Sequence, residues 1–222
     1  MNTQPANKVF DYRALRLLVG VIAFSLPFVV SAIANSSLGS ISGSYYTNAR
    51  DVFVGLLFIV GAFLWAYNGH KTQHKISQKT LSKIAALAAI GLAIFPTTDG
   101  NAPATLISTL HYISAAVLFL ILSRFCFVFF QVDIKGKGGK KRRRSKVYYL
   151  CGWIMLICML VIAAKQIPFI NEKVGDFALV FWAESVALCA FGAAWIVAGK
   201  YLSIFTEPEE KLALLEPTNK VI

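Results

Sequence analysis

Long apolar runs separated by polar segments recur six times along the chain. They cover residues 15–34, 51–67, 81–97, 105–131, 147–164 and 177–198. Each run is longer than a strand and lacks strict alternation, which favours helices over barrel strands. Because about 20 apolar residues span a bilayer core, the pattern predicts an all-α fold. We expect a six-helix transmembrane bundle as a single membrane domain over residues 15–200, with tails at 1–14 and 201–222.

Composition supports a membrane protein over a soluble domain. Hydrophobic residues make up 57% of the 222, the mean hydropathy is +0.62, and charged residues are only 15%. Soluble domains carry roughly 25% charged residues. A soluble monomer of this composition would expose too much apolar surface to stay monomeric.

The basic residues predict the orientation of the bundle. Eighteen Lys and Arg lie in the N-terminal tail, the second-to-third and fourth-to-fifth connections and the C-terminal tail. Only Arg50, Lys165 and Lys173 lie on the other side, and Arg124 lies within the fourth run. The positive-inside rule then predicts that both termini are cytoplasmic. Membrane topology therefore accounts for the net charge of +11, and nucleic-acid binding is not needed to explain it.

Two segments leave alternatives open. Arg13, Arg16, the first apolar run and the A-x-A pattern at 32–34 also imitate a cleaved secretory signal. Cleavage would leave five helices and an external N-terminus. The many basic residues at 136–146 are interpreted as a loop. We expect this loop to anchor the topology and to contact anionic lipid head groups of the bilayer.

Glu184 and His111 are the candidate functional groups within the apolar runs. Glu184 lies eight residues after Asp176, roughly 12 Å into the sixth helix, and His111 lies roughly 9 Å into the fourth. An acid at that depth is costly unless it is paired, hydrated or protonated. The alternatives are a structural ion-pair partner for Glu184 and a packing role for His111.

Further polar groups are expected at the same predicted outer level. The candidate ligand-binding residues are Tyr46, Arg50, Asp51, Asp99, His111, Ser114 and Glu184. Asp51 could simply cap the second helix, and Asp99 could simply form a turn with Gly100. Arg50 could bind an anion, or pair with Asp99 or Glu184. The set predicts an outward-facing polar pocket.

The leading functional hypothesis is binding or transport of a small molecule or lipid. One alternative is a lipid-acting hydrolase with His111 or Glu184 as acid/base and Ser114 or Ser185 as nucleophile. Ser185 points about 100° away from Glu184 on a helix, which disfavours that pair, and no catalytic residue is assigned. Another alternative is a structural subunit of a membrane complex. A six-helix transporter without a repeat would need to dimerise, which keeps a homo-oligomer open.

No motif indicates a cofactor or a metal. P-loop, GxSxG, HExxH and GxGxxG patterns are absent. Cysteines 126, 151, 158 and 189 lack ligand spacing, so they are interpreted as packing residues. The sequence therefore predicts neither a cofactor nor a metal site.

Four motifs resemble those of an uncharacterised family of small bacterial inner-membrane proteins. They are SGSYYTNARDVFVG (42–55), FPT (95–97), HYISA (111–115) and WAESVALCAFGAAW (182–195). The resemblance implies a multi-pass fold in the bacterial inner membrane and no particular reaction. A comparison with the alkaline ceramidase and progestin–adiponectin receptor superfamily fails at its three-histidine zinc site, because His111 is the one histidine in an apolar run.

Overall fold

Six α-helices form the described part of the chain. A computed structural model describes residues 12–69, 76–100, 102–132, 139–167, 169 and 178–208. The helices are α1 (Tyr12–Ile33), α2 (Arg50–Ala66), α3 (Gln78–Ile94), α4 (Leu106–Phe127), α5 (Gly139–Lys165) and α6 (Leu179–Gly199). Short 3₁₀ helices cover Ser42–Tyr46 and Phe129–Gln131. The described residues contain no strand, so the all-α prediction is confirmed.

The helices form a closed ring. Each packs against its neighbours in sequence, and α6 packs back against α1. The ring makes α4 and α6 second neighbours across α5. Their inward faces therefore look into the same interior.

The contacts sort the helix ends into two groups. At one end, which we call the predicted outer end, the α1–α2 connection meets the start of α6 and the α3–α4 connection. At the other, the predicted inner end, the start of α1 meets the ends of α2 and α6. The helices thus alternate in direction around the ring.

Four helices are long and apolar enough to cross a membrane. By length and composition these are α1, α4 with its 3₁₀ extension, α5 and α6. Helices α2 and α3 have 17 residues each, about 25 Å, and fall short of a bilayer core about 30 Å thick. Membrane helices are therefore shown for four of the six predicted spans.

The fifth helix begins earlier than its apolar run. The basic segment 136–146 was expected to be a loop, but α5 begins at Gly139 and includes Lys140 to Lys146. Lys and Arg are good helix formers, and the Glu207 carboxylate accepts a hydrogen bond from the Lys140 N–H in the first turn. The loop prediction is wrong for this part, and residues 136–138 lie outside the described residues.

An aromatic cluster fills the half of the interior nearest the predicted inner end. Tyr67, Phe125 and Trp195 contact one another with ring centroids 5.7–6.0 Å apart. Phe130 packs 5.8 Å from both Phe125 and Trp195. These rings come from α2, α4 and α6 or directly follow them, so they connect helices that are not all adjacent.

Helices α1 and α6 approach most closely at two glycines. A Cβ on Gly192 would lie 2.6 Å from both the Gly20 carbonyl oxygen and the Phe24 nitrogen. Backbone atoms cannot rotate away, so the helices would have to separate. Small residues at such a crossing permit close packing in membranes.

We expect Gly192→Ala to destabilise the protein by about 1–3 kcal/mol, the usual cost of overpacking. Gly55→Ala is the matched control, because a Cβ there would meet nothing within 4 Å and should leave stability unchanged or slightly higher. The measurement is the free energy of unfolding in mixed micelles titrated with dodecyl sulfate. Equal effects of the two substitutions would contradict the close α1–α6 contact.

Candidate functional site

The Glu184 carboxylate binds the connection between α1 and α2. Its Oε2 accepts hydrogen bonds from the Ile41 and Ser42 backbone N–H groups, the second at 3.2 Å. Its Oε1 accepts from the Ser42 hydroxyl at 3.1 Å. All three donors are uncharged, so within the described part of the chain Glu184 is satisfied by hydrogen bonds to a neighbouring segment and not by a salt bridge.

Residues 34–49, which we call the outer strap, are held at two further points. The Phe181 N–H in the first turn of α6 donates to the Gly39 carbonyl at 3.1 Å. The Tyr46 hydroxyl donates to the Thr97 carbonyl at 2.6 Å. The strap therefore crosses the predicted outer end from α6 to the α3–α4 connection.

His111 is buried and has one hydrogen-bond partner. Its exposed fraction is 2%, and Nδ1 lies 2.8 Å from the Phe95 carbonyl oxygen. A carbonyl only accepts, so Nδ1 carries the proton, and in the neutral ring Nε2 is an acceptor. Nε2 has no hydrogen-bond partner among the described residues.

Glu184 and His111 occupy equivalent positions in α6 and α4, and each is followed by buried residues on its own side of the helix. Each is the sixth residue of its helix, about 7.5 Å from the first. Ala187, Phe191 and Trp195 follow Glu184 at helical spacing and are buried, while Leu118, Leu122 and Phe125 follow His111 in the same way. The same two faces meet deeper in the bundle, where Phe125 packs against Trp195.

The structure does not bring Arg50 to a carboxylate. Its guanidinium donates to the Tyr45 hydroxyl at 3.1 Å and lies 4.5 Å from the centre of that ring. The suggested pairing with Asp99 or Glu184 is therefore replaced by a hydrogen bond and a cation–π contact with a near neighbour. Arg50 remains exposed.

Asp51 does not cap α2. The helix begins at Arg50, Ala49 occupies the N-cap position, and no side chain caps it. The preceding 3₁₀ helix and Thr47 already direct the chain into α2, which places Asp51 one residue inside the first turn. There its side chain is exposed, and its negative charge interacts favourably with the helix dipole without capping the helix.

A second polar cluster joins the strap to α4. The Tyr112 hydroxyl lies 2.8 Å from Thr98 Oγ1 and accepts from Thr97 Oγ1 at 3.2 Å. Partial burial raises the pKa of Tyr46, and the nearby negative charge of Asp99 raises it further. The Tyr46 hydroxyl therefore stays protonated and can donate to Thr97.

The candidate nucleophiles do not contact an acid or a base. Ser185 Oγ donates to the Phe181 carbonyl in its own helix at 2.7 Å. Ser114 lies against Gly91 of α3. Among the described residues no three His, Cys, Asp or Glu side chains form a group that could hold a metal. No catalytic pair can be assigned from this geometry.

Sequence reasoning missed a buried arginine at the predicted inner end. Arg16 was counted only as a topology marker, yet it is 7% exposed. It donates to the Tyr67 hydroxyl through Nε and Nη2, and to the Ala198 carbonyl at 3.1 Å. Tyr67 in turn donates to Gln78 at 3.1 Å. The position of Arg16 at the start of an apolar run was the one signal in the sequence that could have indicated its burial.

The fold and these polar contacts define a multi-pass α-helical membrane protein. Residues 13–198 match the family model described as "Protein of unknown function (DUF998)". The chain belongs to this family, which agrees with the resemblance to an uncharacterised family. Comparisons with curated proteins and with solved structures gave no match.

We expect Glu184→Ala to destabilise the protein by about 1–3 kcal/mol, because it leaves two strap N–H groups without an acceptor. Ser42→Ala should cost about 1 kcal/mol. The destabilisation of the double variant should be smaller than the sum of the two single effects by about 0.5 kcal/mol or more, because the two side chains share one contact. Unfolding in dodecyl sulfate measures all three.

Ser37→Ala is the matched control for that cycle. Ser37 is exposed on the same strap and has no contact with Glu184, so its effect should add to that of Glu184→Ala. Additive effects for Ser42 and Glu184 as well would contradict the hydrogen bond.

Proposed function

We propose that this protein binds a small molecule or lipid in a polar pocket between α4 and α6, in the half of the bundle nearest its outer face. The proposal includes six spans with both termini in the cytoplasm, in a bacterial inner membrane. The observation that carries it is the buried His111, whose Nε2 has no hydrogen-bond partner among the described residues, at the position in α4 that Glu184 occupies in α6. A buried acceptor without a partner is costly, and a ligand donor would satisfy it.

The shape of the bundle supports a site with a floor and a cover. Below Glu184 and His111 the aromatic cluster connects α2, α4 and α6. Above them the outer strap crosses from α6 to the α3–α4 connection. A ligand would enter when the strap moves, which requires breaking its hydrogen bonds to Glu184 and Thr97 and withdrawing the buried Ile41 side chain from the core.

The acceptor atoms of His111 and Glu184 indicate the chemistry of the ligand. His111 offers the lone pair of Nε2, and Glu184 offers carboxylate oxygens that currently bind strap N–H groups. Both groups call for hydrogen-bond donors, such as an ammonium or a hydroxyl. A ligand donor that reaches Glu184 would compete with Ile41 and Ser42 and would thereby loosen the strap.

A structural subunit is the second candidate. The observation in its favour is that Glu184 and the Nδ1 atom of His111 both have partners within the chain. Under that alternative the interior is closed and the strap does not move. The hydrolase alternative gains no support, because neither candidate serine contacts His111 or Glu184.

Thiol accessibility distinguishes a pocket from a closed interior. Ala115→Cys and Ser123→Cys place one thiol each on α4, four and twelve residues after His111, in a chain whose native cysteines are alanine. We expect an impermeant cationic thiol reagent, added to intact cells, to label position 115 at least about tenfold faster, because position 123 reacts only through rare opening. Equally slow labelling would favour the structural subunit.

A pair of lipids tests the expected donor chemistry. In reconstituted vesicles, phosphatidylethanolamine should slow labelling of the Ala115→Cys thiol several-fold relative to phosphatidylcholine, because choline has no N–H donor. Adding His111→Ala should remove the difference. Identical rates in the two lipids would contradict a lipid amine as the ligand.

A further inference from the structure

The first two turns of α5 carry a basic surface that continues into an apolar one. Arg142, Lys146, Tyr149, Trp153 and Leu160 follow one another at helical spacing, and all five are exposed. Leu150 and Ile157 belong to the same stripe, within about 100° of helix surface. The stripe therefore runs from cations through two amphipathic rings to aliphatic side chains.

Three of these basic residues have no partner among the described residues. Arg142, Arg143 and Lys146 have no hydrogen bond, ion pair or ring contact with any residue that the structure describes. Lys140, by contrast, donates to the Ser203 and Thr206 carbonyls. Positive charge near a helix N-terminus opposes the helix dipole, so an anion bound at these exposed cations would stabilise this end of α5.

Helix α4 completes one side of the stripe. The Phe127 ring lies 6.0 Å from the Tyr149 ring and 5.5 Å from the Trp153 ring, over Gly152. Arg124, the basic residue that topology alone did not place, instead lies 5.9 Å from the centre of the Phe129 ring. The α4–α5 seam thus has aromatic walls from both helices and cations from α5 at the predicted inner end.

We propose that the α4–α5 seam binds an anionic phospholipid. The phosphodiester contacts Arg142 and Lys146, and an acyl chain lies along Leu150, Trp153 and Ile157. The occupant is a lipid because the apolar part of the stripe directly continues the basic part. Tyr149 and Trp153 lie where aromatic rings favour the membrane interface, and basic residues at this level attract anionic lipids.

Quenching by brominated lipid measures the site directly. Trp153 reports on the seam when Trp65 and Trp182 are replaced by Phe, while Trp182 reports on the opposite end of α6 when Trp65 and Trp153 are replaced. Trp195 is kept in both as a buried background. The vesicles are equal mixtures of phosphatidylglycerol and phosphatidylcholine, with either lipid brominated.

We expect quenching of Trp153 to favour brominated phosphatidylglycerol several-fold, and quenching of Trp182 to show no preference. Arg142→Gln and Lys146→Gln should each remove most of this preference, because one basic residue near an anionic surface is worth about 1 kcal/mol, or about fivefold in affinity. Lys79→Gln is the matched control, since it removes one exposed charge from α3 at the same end.

Three results would overturn the proposal: no preference at Trp153, the same preference at Trp182, or an equal loss in the Lys79→Gln protein. The last would show a diffuse electrostatic effect without a seam. Native mass spectrometry of the protein with all its native tryptophans gives a second readout. Bound phosphatidylglycerol should persist there and be lost in the Arg142→Gln/Lys146→Gln variant.

Discussion

A carboxylate placed among apolar helices must find donors inside the protein, and here it finds them in the backbone of another segment. The Glu184 side chain takes up the N–H groups of Ile41 and Ser42 and the Ser42 hydroxyl. Backbone groups at membrane depth also need partners, since no water is available to them. One contact therefore satisfies both sides, and it determines where the α1–α2 connection crosses the bundle.

The two halves of the interior meet the same constraint differently. At the predicted inner end, Arg16 is surrounded by the Tyr67 hydroxyl, the Ala198 carbonyl and two aromatic rings. Aromatic side chains occupy the space around it and leave a rigid, filled core. At the predicted outer end, Glu184 and His111 share the interior with buried apolar side chains such as Ile41, Phe53 and Leu92. One ring nitrogen of His111 has no partner among the described residues, and this open acceptor supports the proposed pocket.

The apolar runs were sufficient to predict six helices, because helix length in a membrane is imposed by bilayer thickness. They did not predict the start of α5 at Gly139, where Lys and Arg extend the helix beyond the apolar segment. Glu184 and His111 were predictable as isolated polar residues in apolar runs. Their partners were not, because backbone N–H and carbonyl groups occur at every position and leave no mark in a sequence. Arg16 was hidden for a related reason, since a basic residue beside an apolar run usually marks topology.

The central claim is that Glu184 holds the outer strap through the Ile41 and Ser42 amides. Amide hydrogen exchange of the protein in lipid nanodiscs measures this contact most directly. We predict that a peptide covering residues 38–46 is protected, and that Glu184→Ala speeds its exchange about tenfold or more, as the loss of about 1.4 kcal/mol of local stability requires. Exchange in the inner half of α4 should not change. Rapid exchange of the strap in the unsubstituted protein, or no response to Glu184→Ala, would contradict the account.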